Sequence, residues 1–173
     1  MKYFKGFLFA IIGLFILVTL VSLLMPSKVM VAKTVMINAD QQKVMAAIRD
    51  LQNWKYWHPV FKDSSTVVTV SNPSEGKNAF AKWTSTTKEN KIIITDVNEN
   101  EVQLSLQRTG ENDISNVFST HSIKDSSGVQ VEWRMMASLK WYPWEKFSGI
   151  FFDKMVGPGC ELALMNLKEY VEK

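Results

Sequence analysis

The sequence predicts an α+β chain: a curved antiparallel sheet of about seven strands around a long C-terminal helix, preceded by an N-terminal transmembrane helix. Three observations predict it. An uncharged run, Phe7–Met25, stands near the start of the chain. From Val29 to Leu139, alternating apolar residues recur between clusters of turn formers. From Trp141 onward the apolar period changes to three and four, the spacing of a helix face.

The apolar run holds 19 residues, preceded by Lys2 and Lys5 and closed by Pro26 and Lys28. At about 1.5 Å per residue it spans roughly 28 Å, close to the hydrocarbon thickness of a bilayer. A cleaved signal peptide is the competing reading. Such segments carry a shorter apolar core and end in a small-x-small site, whereas Leu23, Leu24, Met25 and Pro26 offer none. We therefore read residues 1–28 as an uncleaved membrane anchor and 29–173 as the domain. Lysines flank both ends of the run, and the short leading tail favours its staying inside with the domain outside. The expected location is a single-pass protein of a bacterial inner membrane, its domain on the extracytoplasmic side.

Val29–Ile37 alternates, with Val29, Val31, Val35 and Ile37 on one face, and reads as the first strand. Asn38 or Asp40 can cap the following helix, in which Val44, Ala47, Ile48 and Leu51 recur at i, i+3, i+4, i+7. Asp50 and Asn53 break that pattern. Trp54 and Trp57 follow, and His58-Pro59 ends the turn, because a residue before proline is pushed out of the α region. This corner is expected to sit like a lid over the mouth of a container.

Ser65–Ser71 reads as the second strand, ended by the turn cluster Asn72-Pro73-Ser74-Glu75-Gly76. Strands are then expected at Asn78–Thr86, Lys91–Val97 and Val102–Gln107, with turns at Asn98–Asn100 and Thr109–Asn112. Ile114–Ile123 and Val129–Leu139 form the last hairpin, joined through Asp125-Ser126-Ser127-Gly128. In the final stretch Trp141, Trp144, Phe147, Phe151 and Met155 share a helical spacing, as do Leu164, Leu167 and Val171. Gly157-Pro158-Gly159 lies between the two groups and should kink or split the helix. Phe147, Phe151, Leu164 and Leu167 are the residues expected to pack on the sheet.

This order of elements resembles the START-like polyketide cyclase/dehydrase (SRPBCC) superfamily, the helix-grip fold. The motif that carries the resemblance is Ile37-Asn38-Ala39, Val44, Asp50, then Trp54, Trp57 and Pro59. Gly128 with Val131 and Trp133 is similar to the family's Gly-Thr-x-Val-x-Trp hairpin ending, and Leu164, Leu167 and Lys168 to its Leu-x-x-Leu-Lys. Gly76 before Trp83 fits as well. The likeness covers about Val29–Glu172. Val129 stands where a threonine is common, and Gly157-Pro158-Gly159 is unusual inside the grip helix. The resemblance implies a cavity between sheet and helix that holds an apolar or amphipathic small molecule. Lipid carriers, hormone receptors and aromatase/cyclases share this fold, so the fold alone does not fix a function.

The net charge of +3, without a long basic run, argues against nucleic acid. The single cysteine, Cys160, forms no internal disulfide, and no Cys/His cluster has metal-ligand spacing; Cys160 reads as a small packed residue. No cofactor is expected. His58 reads as an exposed or capping residue. His121 depends on the hairpin register. With Ile123 opposite Val129, Ser119, His121 and Ile123 face inward; the other register puts Phe118, Thr120 and Ser122 inside. Asp40, Asp50, Asp63, Asp96, Glu132 and Asp153 are scattered and supply no acid/base pair, and Glu132 should point outward beside Arg134.

The candidate ligand-binding residues are Trp57, Trp83, His121, Val131, Trp133, Met135, Phe147, Phe151 and Met155, aromatic and apolar walls with His121 as the one weak catalytic candidate. Met135, Met136, Met155 and Met165 would make such a wall adaptable. The same aromatics could equally fill a core. Three functions follow from these residues. First is a membrane-tethered module binding a hydrophobic small molecule or lipid. The others are a cyclase/dehydratase-type enzyme, and a filled-core interaction domain without a ligand.

Overall fold

The computed structural model describes residues 2–85, 88–123 and 128–173. Helix α1, Lys2–Leu23, is long and apolar enough by length and composition to cross a membrane, and its large apolar side chains are exposed. After Leu24–Ser27 the chain enters β1, Lys28–Ile37. Asp40 then caps α2, Gln41–Arg49, its carboxylate accepting from the Gln42 amide at 2.8 Å. Two single-turn helices follow, α3 (Trp54–Trp57) and α4 (Pro59–Lys62). His58 stands between them in the extended conformation that a residue before proline adopts.

The remaining strands are β2 (Val68–Val70), β3 (Phe80–Ser85), β4 (Lys88–Val97), β5 (Glu101–Arg108), β6 (Ile114–Ser122) and β7 (Val129–Ser138). They form one antiparallel sheet in the order β1-β7-β6-β5-β4-β3-β2. The meander is therefore continuous, and β1 closes on β7. Gly76, at φ +85°, makes the turn into β3, a backbone conformation that suits glycine. Inward residues alternate with outward ones along each strand: Val29, Val31, Val35 and Ile37 of β1, for example, are more buried than Met30, Thr34 and Met36.

The last hairpin takes the second of the two expected registers. Ser122 pairs with Val129, Thr120 with Val131 and Phe118 with Trp133, so the even-numbered residues of β6 face the interior. His121 opposes Gln130 and is exposed. The expected turn at Asp125, Ser126 and Ser127, and Thr86 at the end of its expected strand, lie outside the described residues.

The C-terminal region also departs from expectation. It splits at Ile150 and Phe151, giving α5 (Pro143–Gly149) and α6 (Phe152–Val171), and α6 runs without interruption through Pro158. Pro158 leaves the carbonyl four residues back, that of Lys154, without its helical donor, and this stretch of the helix is exposed to solvent. Gly157 has a packing reason. A Cβ there would stand 3.1 Å from Lys33 Cε and 2.9 Å from Asp153 Oδ1. The Lys33 stem crosses this bare backbone to reach Asp153 at 3.2 Å and Glu161 at 2.8 Å. Those bonds, Glu161 first, raise the Lys33 pKa.

Helix α6 packs chiefly on β1 and α3, burying Cys160, Ala163, Leu164, Leu167 and Val171. Its C-terminal end is pinned: Lys168 donates to the Met36 carbonyl at 2.7 Å, and Glu172 accepts from the Asn38 amide at 2.7 Å. Phe147 and Phe151 do not join this face. Both are exposed, because they belong to α5 and its joint rather than to the grip helix. Truncating Leu164 or Leu167 to alanine should therefore cost about 2–5 kcal/mol, whereas Phe147→Ala and Phe151→Ala should stay within roughly 1 kcal/mol. Thermal denaturation of the detergent-solubilised chain measures this, and equal losses in the two pairs would refute the assignment of faces.

Candidate functional site

The interior divides into a sealed half and a looser half, and the tryptophan corner seals the first. Trp54 Nε1 donates to the Ile48 carbonyl at 2.9 Å and Trp57 Nε1 to the Ala47 carbonyl at 3.1 Å, so both indoles fold back onto the end of α2. These carbonyls belong to the last turn of α2, where a helix leaves oxygens without a backbone donor. Asp50 holds the corner to the turn before β3: Ser74 Oγ donates to Asp50 Oδ1 at 2.7 Å, and the Leu51 amide to the Ser74 carbonyl at 3.0 Å. Asn166 of α6 donates to the Trp57 carbonyl at 3.0 Å. With both tryptophans fully buried, the corner is a plug within the core and not a lid over a mouth.

His58 is the residue whose environment the sequence concealed. Its ring stacks on Trp54 at 5.0 Å between centroids, meets Phe61 edge-on at 5.1 Å, and lies 5.6 Å from Trp57 and 6.1 Å from Trp133. Phe118, stacked on Trp133 at 4.6 Å, completes the nest. The Nδ1 atom is enclosed and has no hydrogen-bond partner. Burial lowers the His58 pKa to about 3, because the apolar rings cannot solvate an imidazolium. The signal was present: Trp54, Trp57, His58 and Phe61 stand at i, i+3, i+4, i+7.

Of the predicted site residues, Trp57, Val131, Trp133 and Met135 are buried in one interior, and Trp83 joins them half-buried. Trp133 Nε1 donates to Asn116 Oδ1 at 3.1 Å, which satisfies both buried polar groups. Trp83 tilts against Phe61 at 5.5 Å. His121, Phe147, Phe151 and Met155 are not in this group; all four are exposed. Met136 and Met165 are exposed too, and only Met135 of the four methionines lines the interior, its Sδ 3.2 Å from the buried Cys160 Sγ. Burial raises that thiol to about 11, so it stays protonated.

Coverage of the inner face changes along the strands. Val102, Phe118 and Val131, beneath the corner, have no exposed surface, while Leu106, Ile114 and Met135, nearer the other end, keep 5–7%. Beyond them Trp83 is only half-covered. Beside it, Leu51, Phe61, Thr66, Val68 and Val70 line a groove of about 390 Å³ between the corner and β2. A larger depression of about 800 Å³ lies over Gln41, Arg49, Glu99, Asn100 and Ser122. Its polar rim offers little to an apolar ligand.

The His58 ring, enclosed at Nδ1 in a residue that is half-buried overall, has a pH signature. Folded His58 titrates near 3 and the unfolded residue near 6.5, so between those values the unfolded chain binds the extra proton. Stability present above pH 6.5 should fall as pH drops towards 3, by up to about 1.4 kcal/mol per pH unit. His58→Phe should remove that component of the slope. Melting curves between pH 7 and pH 4.5 check it, and an unchanged slope in the variant would contradict a neutral buried imidazole.

The architecture has relatives among solved structures. A START superfamily protein from Mycobacterium smegmatis superposes with a TM-score of 0.62 at 16% identity, covering 83% of this chain and 97% of that one. A protein of unknown function from Staphylococcus aureus gives 0.66 at 12% identity, covering 84% and 94%. A protein from Chromobacterium violaceum gives 0.58 at 12%, covering 83% and 98%. At these identities the likeness is one of fold. No curated protein matches the sequence. The family model described as polyketide cyclase / dehydrase and lipid transport matches residues 28–172, and the chain belongs to that family.

Proposed function

We propose that this protein is a membrane-tethered binding module for a hydrophobic small molecule or lipid, held on the inner face of the sheet around Phe61, Trp83, Trp133 and Met135. The observation that carries the reading is His58 Nδ1, enclosed among aromatic rings and unpartnered; its neighbour Phe61 tilts in turn against Trp83, an inward tryptophan left half-covered. An unpaired buried polar atom costs about 1–3 kcal/mol. A largely apolar ligand with one polar atom near that nitrogen would offset the cost and cover Trp83 together. Family membership supports the class of ligand. His121 has no part in the site, since it stands on the outer face.

In this reading residues 1–28 are the tether and 29–173 the domain. Lys2 and Lys5 before the apolar run favour the short tail inside, which puts the domain on the extracytoplasmic side of a bacterial inner membrane. The mature chain should retain α1 and resist carbonate extraction; a soluble protein beginning near Ser27 on intact-mass analysis would refute the tether.

A filled-core interaction domain is the second reading, favoured by the dense nest of Trp54, Trp57, Phe118 and Trp133. Titration of fluorescent fatty-acid and polycyclic aromatic probes separates the two. Binding should be saturable in the wild type, survive His121→Ala within a few-fold, and weaken at least about tenfold in Trp83→Ala, about 1.4 kcal/mol of apolar contact. If no probe binds, the filled-core reading takes its place. A cyclase/dehydratase would instead lose about 10²–10⁴ in rate on removal of a general base while affinity survived.

A further inference from the structure

The most exposed aromatic surface of the domain adjoins the exit of α1. Trp141, Trp144, Ile150 and Phe151 are each more than half exposed, and Phe147 is exposed as well. They occupy a short stretch around α5. The Tyr142 ring stacks on Trp144 at 4.9 Å and lies 5.0 Å from Trp141. Such a patch is costly in water, since each large aromatic leaves apolar area unburied.

Lys146 fixes where this patch sits. It is the one lysine among the buried residues that the structure describes, and its ammonium donates to the Met25 carbonyl at 3.3 Å and to Ser27 Oγ at 2.6 Å. Met25 closes the uncharged run that begins at Phe7. If that run fills the hydrocarbon layer, Met25 marks its boundary. A side chain bonded to the Met25 carbonyl then lies in the headgroup layer, roughly 5–8 Å thick on each side. Helix α5 contacts α1 directly as well, so the aromatic patch cannot stand far above this layer. Trp and Tyr rings, with an apolar body and one polar group, partition to that depth.

We infer that α5 and its flanks, through Trp141, Tyr142, Trp144, Phe147, Ile150 and Phe151, form an interfacial foot that rests in the headgroup layer of the bilayer crossed by α1. The inference rests on the tether reading given above. The foot also adjoins the looser end of the inner face. Lys28, the first residue of β1, pairs with Ser138, the last of β7, and Gly149 at the end of α5 packs against Leu139 and Val29. The sealed half of the interior, under α2, is the half away from the membrane.

The test uses the full chain reconstituted in phosphatidylcholine nanodiscs, with and without lipid brominated near the top of the acyl chain. Of the six tryptophans, Trp54, Trp57 and Trp133 are buried and Trp83 is half-covered on the inner face, so the exposed Trp141 and Trp144 should dominate the quenching. The Trp141→Phe/Trp144→Phe variant should lose at least about half of the bromine-dependent quenching, with its thermal midpoint unchanged. Quenching that is absent in the wild type, or equal in the variant, would overturn the foot. A second copy covering the patch would give that same overturning result, with a cross-link between copies. Flotation of the chain with lipid vesicles separates the two failures. A chain that floats without quenching leaves the tether standing and removes the foot; a chain that does not float removes both.

Discussion

Ten residue pairs join β1 to β7, from Lys28 with Ser138 to Ile37 with Val129, and the rest of the domain depends on that ladder. It brings the first strand of the chain against the last, a closure between residues about a hundred positions apart, and such a closure is set against a long-loop entropy cost. Helix α6 packs mainly on β1; without the ladder it would have no floor. The Lys33 stem, which lies across Gly157, comes from the same strand. The same strand follows the short segment Leu24–Ser27 that leads from α1.

A second constraint is the polar bookkeeping of the corner. Two indole N–H groups, the Asp50 carboxylate and the Ser74 hydroxyl each find a partner at the junction of α2, α3 and the turn before β3. Buried polar groups hold a core in one arrangement when they are satisfied and destabilise it when they are not. Among the described residues, His58 Nδ1 and Arg49 Nε are the exceptions near this junction, and Ser119 Oγ and Arg134 Nε are unpartnered elsewhere on the sheet.

The fold was largely legible because its signals are local and periodic. The alternation in Val29–Ile37, the i, i+3, i+4, i+7 pattern from Val44, and the turn at Asn72–Gly76 each fix an element without knowledge of the others. The site was less legible, for three separate reasons. His121 depended on strand parity, and one residue of slip at Val129 reverses every side chain. Phe147, Phe151 and Met155 have the spacing of a packed face, but periodicity does not say whether an apolar face meets protein or another apolar medium. His58 was read from its following proline, which set its backbone correctly; the ring that closes on it from β7, Trp133, is distant in sequence and gave no local sign.

The pair of bonds from Lys146 to Met25 and Ser27 bears on how the domain would meet lipid. A free lipid carrier must find the membrane by diffusion and surrender translational and rotational freedom at every encounter. If α1 spans a bilayer, a domain bonded to the end of that helix would meet the bilayer as an intramolecular partner, at an effective concentration set by a linker four residues long, Leu24 to Ser27. Even weak contacts at its base would then stay occupied nearly all the time. Their strength would govern tilt, and so the direction in which the looser end of the sheet points, more than whether the domain is attached.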